Sequence, residues 1–445
     1  MASSTDRMAA NMNLGVFAKA TELKQRLLFV LGALIVYRLG TYIPIPGIDP
    51  QILAQIFAQH QGGVLGVFNM FSGGALSRMT IFALSVMPYI SASIIMQLMT
   101  VAVPSLATLK KEGEAGRRKI NQITRYGTVI LAALQSYGVS AGLERMEGSN
   151  GISAVMDPGM FFRLSTVVTL TGGTLFLMWL GEQITQRGIG QGISLIIFTG
   201  IVANLPHALA STFELGRTGV LSTPVILFIL VLALGLIATI VFFERAQRRI
   251  LIQYAKRQVG NKIMQGEATH LPMKLNTAGV IPPIFASSIL LFPLTIAGFN
   301  GDGGPEWLRT VTSYLGHGQP LYIVLFVAII LFFSFFYTAV VFNPTETAEN
   351  LKKNGGFVAG IRPGKNTADY LDYVLTRLTL VGAIYIAAVC TIPELLIAEY
   401  SVPFYLGGTS LLIVVNVIID FVGQVQSHLF AHQYEHLIKK ARIRK

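Results

Sequence analysis

Ten apolar stretches, near residues 27–45, 79–103, 126–143, 161–181, 193–210, 223–243, 277–298, 320–342, 374–394 and 404–422, constrain this chain more than any motif in it. Each approaches the roughly 20 apolar residues a helix needs to cross a bilayer. In hydrocarbon every backbone N–H and C=O must find its partner inside the protein, so runs of this kind span as helices. The expected fold class is an all-α polytopic membrane protein with ten transmembrane helices. Composition agrees: 52% of the 445 residues are apolar and 13% are charged, too little charge to coat a soluble globule. The one cysteine, Cys390, sits in an apolar run, so no disulfide framework or thiolate metal cluster is available.

One further apolar piece is too short to span. It lies between Gly62-Gly63 and Gly73-Gly74, contains Phe68, Asn69, Met70 and Phe71, and is only about half the length of a crossing helix. A half-length apolar helix joined through Gly-Gly to a full span, here Met79 to Val103 with Pro88 in its middle, reads as a re-entrant segment. Such backbone survives at membrane depth only inside protein or beside a water-filled cavity. The chain is therefore expected to enclose a path.

Charge placement sets the orientation. With a cytoplasmic N-terminus, the cytoplasmic pieces hold Arg7 to Arg26, Lys110 to Arg125, Arg187, Arg245 to Lys274, Lys352 to Lys365 and Lys439 to Lys445, which is 27 of the 34 Lys and Arg. The opposite loops carry mainly Arg78, Arg145, Arg217 and Arg309. This asymmetry predicts that both termini are cytoplasmic. No small-residue cleavage site follows a short apolar core, so the run from Leu27 is read as a retained span. Two cytoplasmic loops are long and basic. The first, 244–276, contains RAQRRILIQYAKRQ; the second, 343–372, contains GIRPG, whose breakers predict a turn with Arg362 at its tip.

Other chemistry is missing. Ion-coupled transporters carry ionisable groups in mid-span. Here Arg38, Arg163, Glu182, Arg377 and Asp420 stand near span ends, and Arg38, the deepest, is read as snorkelling outward. The path is therefore expected to be apolar and uncharged, which speaks against the alternative of a secondary solute transporter with a polar midplane site. No paired catalytic groups face one another across spans, so no enzyme and no cofactor are expected. Gly360 to Lys365 superficially resembles a phosphate loop, but the glycine spacing is one short and Asn366 stands where Ser or Thr is required. Gly188, Gly190 and Gly192 lack the dinucleotide spacing and read as a flexible turn between the fourth and fifth spans. His428, His432 and His436 share one helical face at a spacing that permits chelation by a pair, yet a solvated tail helix is the expected reading and no metal is assigned.

The segments FNMFSGGALSR, MPYISASIIMQL, KKEGEAGRRKINQITRYGT, FLMWLGEQITQRGIGQGISLIIF, ERAQRRILIQYAKRQ, THLPMKLNTAGVIPPIFASSI, FFYTAVVFNPTETAENLKKNGG, GIRPG and PFYLGGTSLLIVV closely resemble the bacterial SecY family, the central subunits of the general protein-secretion channel. The likeness runs from about Leu23 past Asp420. It implies two five-helix halves, 27–210 and 211–422, around an hourglass pore, with a cytoplasmic segment 1–26 before them and a cytoplasmic tail 423–445 behind. It also implies a bacterial cytoplasmic membrane location and a re-entrant plug helix at about 62–75, whose matching residues are Phe68, Asn69, Met70, Phe71, Ser72 and Gly73.

By the same resemblance, the pore is narrowed by a ring of Val86, Ile90, Ile193, Ile197, Ile284 and Ile413. Val86 stands where well-known bacterial members have isoleucine. A sideways gate would run between the second and third spans and the seventh and eighth, past Ser91, Ser93, Gln97, Asn276, Thr277, Ser287 and Ser288. Arg248, Arg249, Lys256, Arg257 and Arg362 match residues that dock the SecA motor ATPase and the ribosome; at the neighbouring tip this chain has Asn261 and Lys262 in place of two arginines. The implied partners are SecE, SecG, SecA, the ribosome, signal sequences, unfolded precursors and membrane lipids. ATP hydrolysis would belong to SecA. The aliphatic ring has a physical rationale, because a hydrophobic constriction dewets and its branched side chains hold no passing peptide strongly.

Overall fold

The computed structural model describes residues 21–59, 69, 72–144, 153–219, 222–254, 257–259, 262–264, 268–300, 319–400 and 407–443. Within these, the side chains of 54, 56–59, 111, 257–259, 262–264, 291–300, 397–400 and 431–443 are not described. Phe68, Met70, Phe71 and Lys256, and the side chains of Arg257, His432 and His436, therefore lie outside the described residues.

Thirteen helices are described: α1 (Thr21–Gly40), α2 (Pro50–Gln59), α3 (Met87–Ala102), α4 (Pro104–Lys111), α5 (Glu114–Leu143), α6 (Met160–Arg187), α7 (Gly192–Arg217), α8 (Thr223–Arg245), α9 (Ile281–Asn300), α10 (Pro320–Val341), α11 (Pro344–Lys353), α12 (Lys365–Tyr400) and α13 (Gly408–Ile443). Each of the ten apolar stretches contains one of them. Among the described residues, six (α6, α7, α8, α10, α12 and α13) are long and apolar enough to cross a membrane, and α3 with α4 makes a seventh if the bent pair is one span. The most apolar, α8, is also the least covered by protein, with Leu227, Phe228, Val231 and Leu234 exposed. An all-apolar helix left uncovered is at home in lipid.

The second span departs from the sequence expectation. Its helix begins at Met87 rather than Met79, with Pro88 in the first turn instead of mid-helix. Proline suits that position because its missing N–H is one that a helix start leaves unpaired anyway. Residues 72–86 form a succession of turns, with positive φ at Gly73 (69°), Gly74 (81°), Met79 (43°) and Ser85 (50°). The 16 residues of α3 reach about 24 Å at 1.5 Å per residue. At Val103, which is extended, the chain bends by 103° into α4, as expected before a proline that disfavours the helical region for its predecessor.

The two long loops fold into one structure that periodicity had not revealed. β1 (Gln247–Tyr254) pairs antiparallel with β4 (Ala268–Lys274) on one side and with β5 (Gly356–Val358), from the other loop, on its opposite side. Short strands β2 (Arg257–Val259) and β3 (Lys262–Met264) form a separate hairpin. Strand alternation buries Ile250 and Ile252 while Arg249 and Leu251 face out. Ile250, Met273 and Val358 pack on Ala368, Leu371, Val374 and Leu375 of α12, which fixes the sheet to the helical body. Helical throughout its body, the protein thus carries a small sheet where two loops meet.

Two larger apolar clusters form the body. One is built mainly from α1, α3, α6, α7 and the 72–86 run; the other from α8, α9, α10, α12 and α13. Ile413 and Val417 of α13 also enter the first cluster. Gly190 and Gly192 make the α6–α7 turn a close-packed one: Gly190 N–H donates to Gln424 Oε1 at 2.7 Å, and a Cβ on Gly192 would lie 1.9 Å from the Gly181 carbonyl. The flexible turn expected there is pinned at both ends.

Candidate functional site

The six aliphatic positions singled out in the sequence converge. Val86, Ile197 and Ile413 are buried in one cluster, and Ile90, Ile193 and Ile284 pack half-buried against it. They arrive from the end of the turn run, from α3, α7, α9 and α13, and are scattered over more than 300 residues of chain. Ile90, Ile197, Ile284 and Ile413, with Met87, Ser287 and Ser288, surround a space of about 10 Å³. That is at or below the room one water needs, and a water there would also need two to four polar partners. Ser287 Oγ spends its proton on the Pro283 carbonyl of its own helix at 2.9 Å. Ser288 Oγ, on the same lining, is buried without a hydrogen-bond partner among the described residues, and the space has no more room than one water takes.

A second cavity, of about 290 Å³, opens between α7, α10, α13 and the start of α9. Its lining is polar where the constriction is apolar. Glu244, at the end of α8, is buried and accepts from Asn276 Nδ2 at 2.6 Å; Asn276 also accepts from Gly279 N–H at 3.0 Å. Lys274 and Asp420 line the same cavity. Sequence reading assigned Glu244 to a loop because it ends an apolar run; only the packing of α8 against the turn at Asn276 buries it.

Where α3 meets α9 and α10, the contact is apolar and aromatic. Ile90, Ile94 and Leu98, spaced by four along α3, meet Ile281 and Phe285 of α9 and Ile329, Phe333 and Phe336 of α10. Phe285 and Phe333 stand edge to face with centroids 5.3 Å apart. The small polar residues expected at this seam are distributed differently. Ser91, Ser93 and Gln97 are half-buried on α3, whereas Asn276 and Thr277 belong to the polar cavity. Thr277 Oγ1 donates to the Lys274 carbonyl at 3.1 Å. The phenylalanines were missed, although the run FFSFFY in the eighth stretch was a signal that could have found them. Lys110, beyond the bend, reaches across to the Val340 carbonyl at 3.4 Å, one of the last carbonyls of α10 that a helix end leaves free.

The residues expected in a plug are described only in part. Asn69 accepts from Ser77 N–H through Oδ1 at 2.8 Å, and Ser72 Oγ donates to the Asn69 carbonyl at 3.0 Å, tying the turn to itself. Arg38, half-buried in the last turn of α1, donates through Nη1 to the Gly73 carbonyl at 3.0 Å and through Nη2 to the exposed Tyr42 Oη at 3.4 Å. Of the basic residues, Arg248 and Arg249 are exposed on β1, where successive side chains point to opposite sides of the sheet, and Arg362 is exposed in the turn between β5 and α12; the sheet joins the two loops that carry them. Among the described residues no group of three or more His, Cys, Asp or Glu could hold a metal.

Comparison with known proteins points the same way. A family model described as SecY matches residues 80–422. The protein translocase subunit SecY of Escherichia coli (strain K12) is 59% identical over 424 residues, covering 95% of each chain. That of Rickettsia conorii (strain ATCC VR-613 / Malish 7) is 58% identical over 423 residues, 95% of this chain and 97% of the relative. In fold, the chain is similar to a solved protein-conducting channel with TM-score 0.64 at 16% identity, over 91% of this chain and 92% of that one. It is likewise similar to Sec61 in the canine ribosome-channel complex from the endoplasmic reticulum, with TM-score 0.60 at 15% identity over 91% and 92%. A multi-pass membrane body, a matched family model and this identity over nearly the whole length lead to one conclusion: the chain belongs to the SecY family of protein translocase subunits.

Proposed function

We propose that this translocase subunit is the conduit itself, a ten-span channel in the bacterial cytoplasmic membrane with both termini in the cytoplasm. Unfolded precursors pass along its axis, and apolar segments leave sideways into lipid. The observation that carries the reading is the convergence of Val86, Ile90, Ile193, Ile197, Ile284 and Ile413 on one apolar cluster, in which Ile90, Ile197, Ile284 and Ile413 surround a space of about 10 Å³. Such a gasket stops ions by dryness when closed, and it yields to a chain because branched aliphatics hold it by no directional bond. The polar cavity beside Glu244 and Asn276 is the cytoplasmic vestibule in this reading, and the Asn69–Gly73 turn belongs to the outer plug.

The seam between α3 and the α9–α10 pair is the sideways exit. Its contacts are apolar, so a hydrophobic signal helix replaces them with contacts of the same kind at little cost. Ser91, Ser93, Gln97, Ser287 and Ser288 flank it, and Asn276 and Thr277 stand at its cytoplasmic end. The two basic loops, carrying Arg248, Arg249 and Arg362 together with Lys256 and Arg257, dock the SecA motor, which supplies ATP hydrolysis, and the ribosome, whose RNA phosphates make the contact weaken with salt. SecE and SecG complete the complex.

Reconstitution of the chain with SecE and SecG into liposomes tests this. Added SecA and ATP should drive a secretory precursor into the lumen, while gradient-driven uptake of a small solute without precursor import would overturn it in favour of a transporter. Arg362→Glu should abolish motor-driven import and leave the protein inserted and assembled, because it reverses charge at an exposed tip that supports no part of the core. Normal import by that variant would remove Arg362 from the motor interface.

A further inference from the structure

The buried run from Ser72 to Val86 ends in the constriction, and its backbone is under strain. Met79 and Ser85 are non-glycine residues at φ 43° and 50°, and both are fully buried. L-residues adopt this region at a cost, and they persist there only when surrounding contacts over-determine them. Three attachments do so. At the far end Val86 is locked in the aliphatic cluster. In the middle the backbone pairs with the chain after α1, with Ile45 N–H donating to the Met79 carbonyl and Ile81 N–H to the Ile43 carbonyl, each at 3.0 Å. At the near end the attachment is a side chain, Arg38.

Arg38 Nη1 donates to the Gly73 carbonyl at 3.0 Å and to Thr41 Oγ1 at 3.4 Å, and Nη2 donates to Tyr42 Oη at 3.4 Å. The Tyr42 ring in turn lies 4.2 Å from the guanidinium of Arg78, at the other side of the turn. The Gly73 carbonyl is aimed at Arg38 by φ of 69°, and a Cβ there would stand 2.9 Å from Gly200 Cα on α7. A cation half-buried in the last turn of an apolar helix is held in place by the hydrogen bonds it finds there. Here it is bonded to the backbone of the turn that starts the strained run.

We infer that Arg38 is a positioning residue: it holds the Ser72–Gly74 turn against α1 and α7 and thereby keeps the run to Val86 in the register that closes the constriction. The inference rests on the channel reading above. Without the guanidinium the turn keeps only the longer contact of Tyr37 Oη with the Ser72 carbonyl at 3.5 Å as a side-chain tether to α1, the strain at Met79 and Ser85 is free to relax, and Val86 and Ile90 move with it.

The test uses the chain reconstituted with SecE and SecG and reads two quantities, resting ion leak and SecA-driven import of a precursor with an intact signal. Arg38→Met keeps length and apolar stem but removes the donors; the leak should rise by on the order of tenfold, the factor set by losing one charge-assisted hydrogen bond. Import of the intact precursor should continue. Arg38→Lys should recover much of the seal, because an ammonium still reaches one carbonyl. Gly73→Ala, which leaves Arg38 in place but drives the turn off Gly200, should leak as Arg38→Met does. An unchanged leak in both Arg38→Met and Gly73→Ala, with import intact, would overturn the inference. Leak raised equally by Met and Lys, both of which keep the apolar stem, would show that an ammonium does not replace the forked guanidinium and would support the inference. If the unmodified complex imports no precursor, it is the channel reading that fails. Should Arg38→Met not assemble, Gly73→Ala alone decides.

Discussion

The constriction and the turn run that leads into it lie side by side and are held by opposite means. Around Ile197 and Ile413 nothing directional operates: side chains from four helices fill a space, and any branched apolar residue of similar volume does nearly the same. Around Gly73 almost everything is directional. The carbonyl orientation needs a positive φ, the clearance to Gly200 admits no Cβ, and Arg38, Ser72 and Asn69 each make bonds of fixed geometry. The difference teaches that a seal which must part around any sequence is built from interchangeable contacts, whereas the element that tells it where to close is built from specific ones.

Breaking the constriction by polarity should have the largest effect. Ile413→Asn trades a fully buried aliphatic for an amide with no partner, a combined cost of about 4 kcal/mol, and it invites water. Resting leak through reconstituted vesicles should rise well above that of any apolar variant at the same position; a dry, sealed Asn variant would contradict the dewetting account. Next comes the seam. Phe333→Ala removes a buried ring that packs on Phe285 and Phe336, a change worth roughly 3 kcal/mol in a water-soluble core and less where lipid competes. Precursors with weak signals should be admitted more readily, measured as import across a series of signal hydrophobicity, while strong signals change little.

A smaller effect is expected at the polar cavity. Asn276→Ala deprives the buried Glu244 carboxylate of its 2.6 Å donor, a loss of about 2 kcal/mol. Thermal unfolding of the purified complex should show a lower midpoint, and Glu244→Gln in the same background should restore part of it, since the neutral amide no longer needs that donor. The smallest effect sharpens the comparison: Ile90→Leu conserves volume in the ring and should cost less than about 1.5 kcal/mol, with leak and import near those of the parent. A large leak from that variant would mean that the ring, like the turn, depends on specific shape.

How much of the molecule was legible in its residues varied with the range of the interactions involved. All ten apolar stretches contain helices, because the need to satisfy backbone groups in hydrocarbon acts along the chain itself. The start of the second helix was misjudged by eight residues: Met79 to Val86 are as apolar as α3 itself, but they bond to residues 43–45 rather than continuing the helix. The bond from Arg38 to the Gly73 carbonyl was not foreseen, because a backbone carbonyl has no signature in residue type. Val86, Ile90, Ile193, Ile197, Ile284 and Ile413 could not be told from other aliphatics by pattern; the family resemblance singled them out. Their meeting in one cluster is a property of the helices packed together.

By itself the sequence determined that this protein is a helical membrane body with two basic loops. Those properties come from local polarity and from the length a bilayer demands. The tertiary structure decided that β1 draws both loops into one sheet and that Glu244 is buried. It decided also that phenylalanines close the seam and that Arg38 grips the turn at Gly73. Each of these joins groups distant along the chain, and their energy exists only once packing has brought donor to acceptor or face to face. Composition and period carry no record of such pairs.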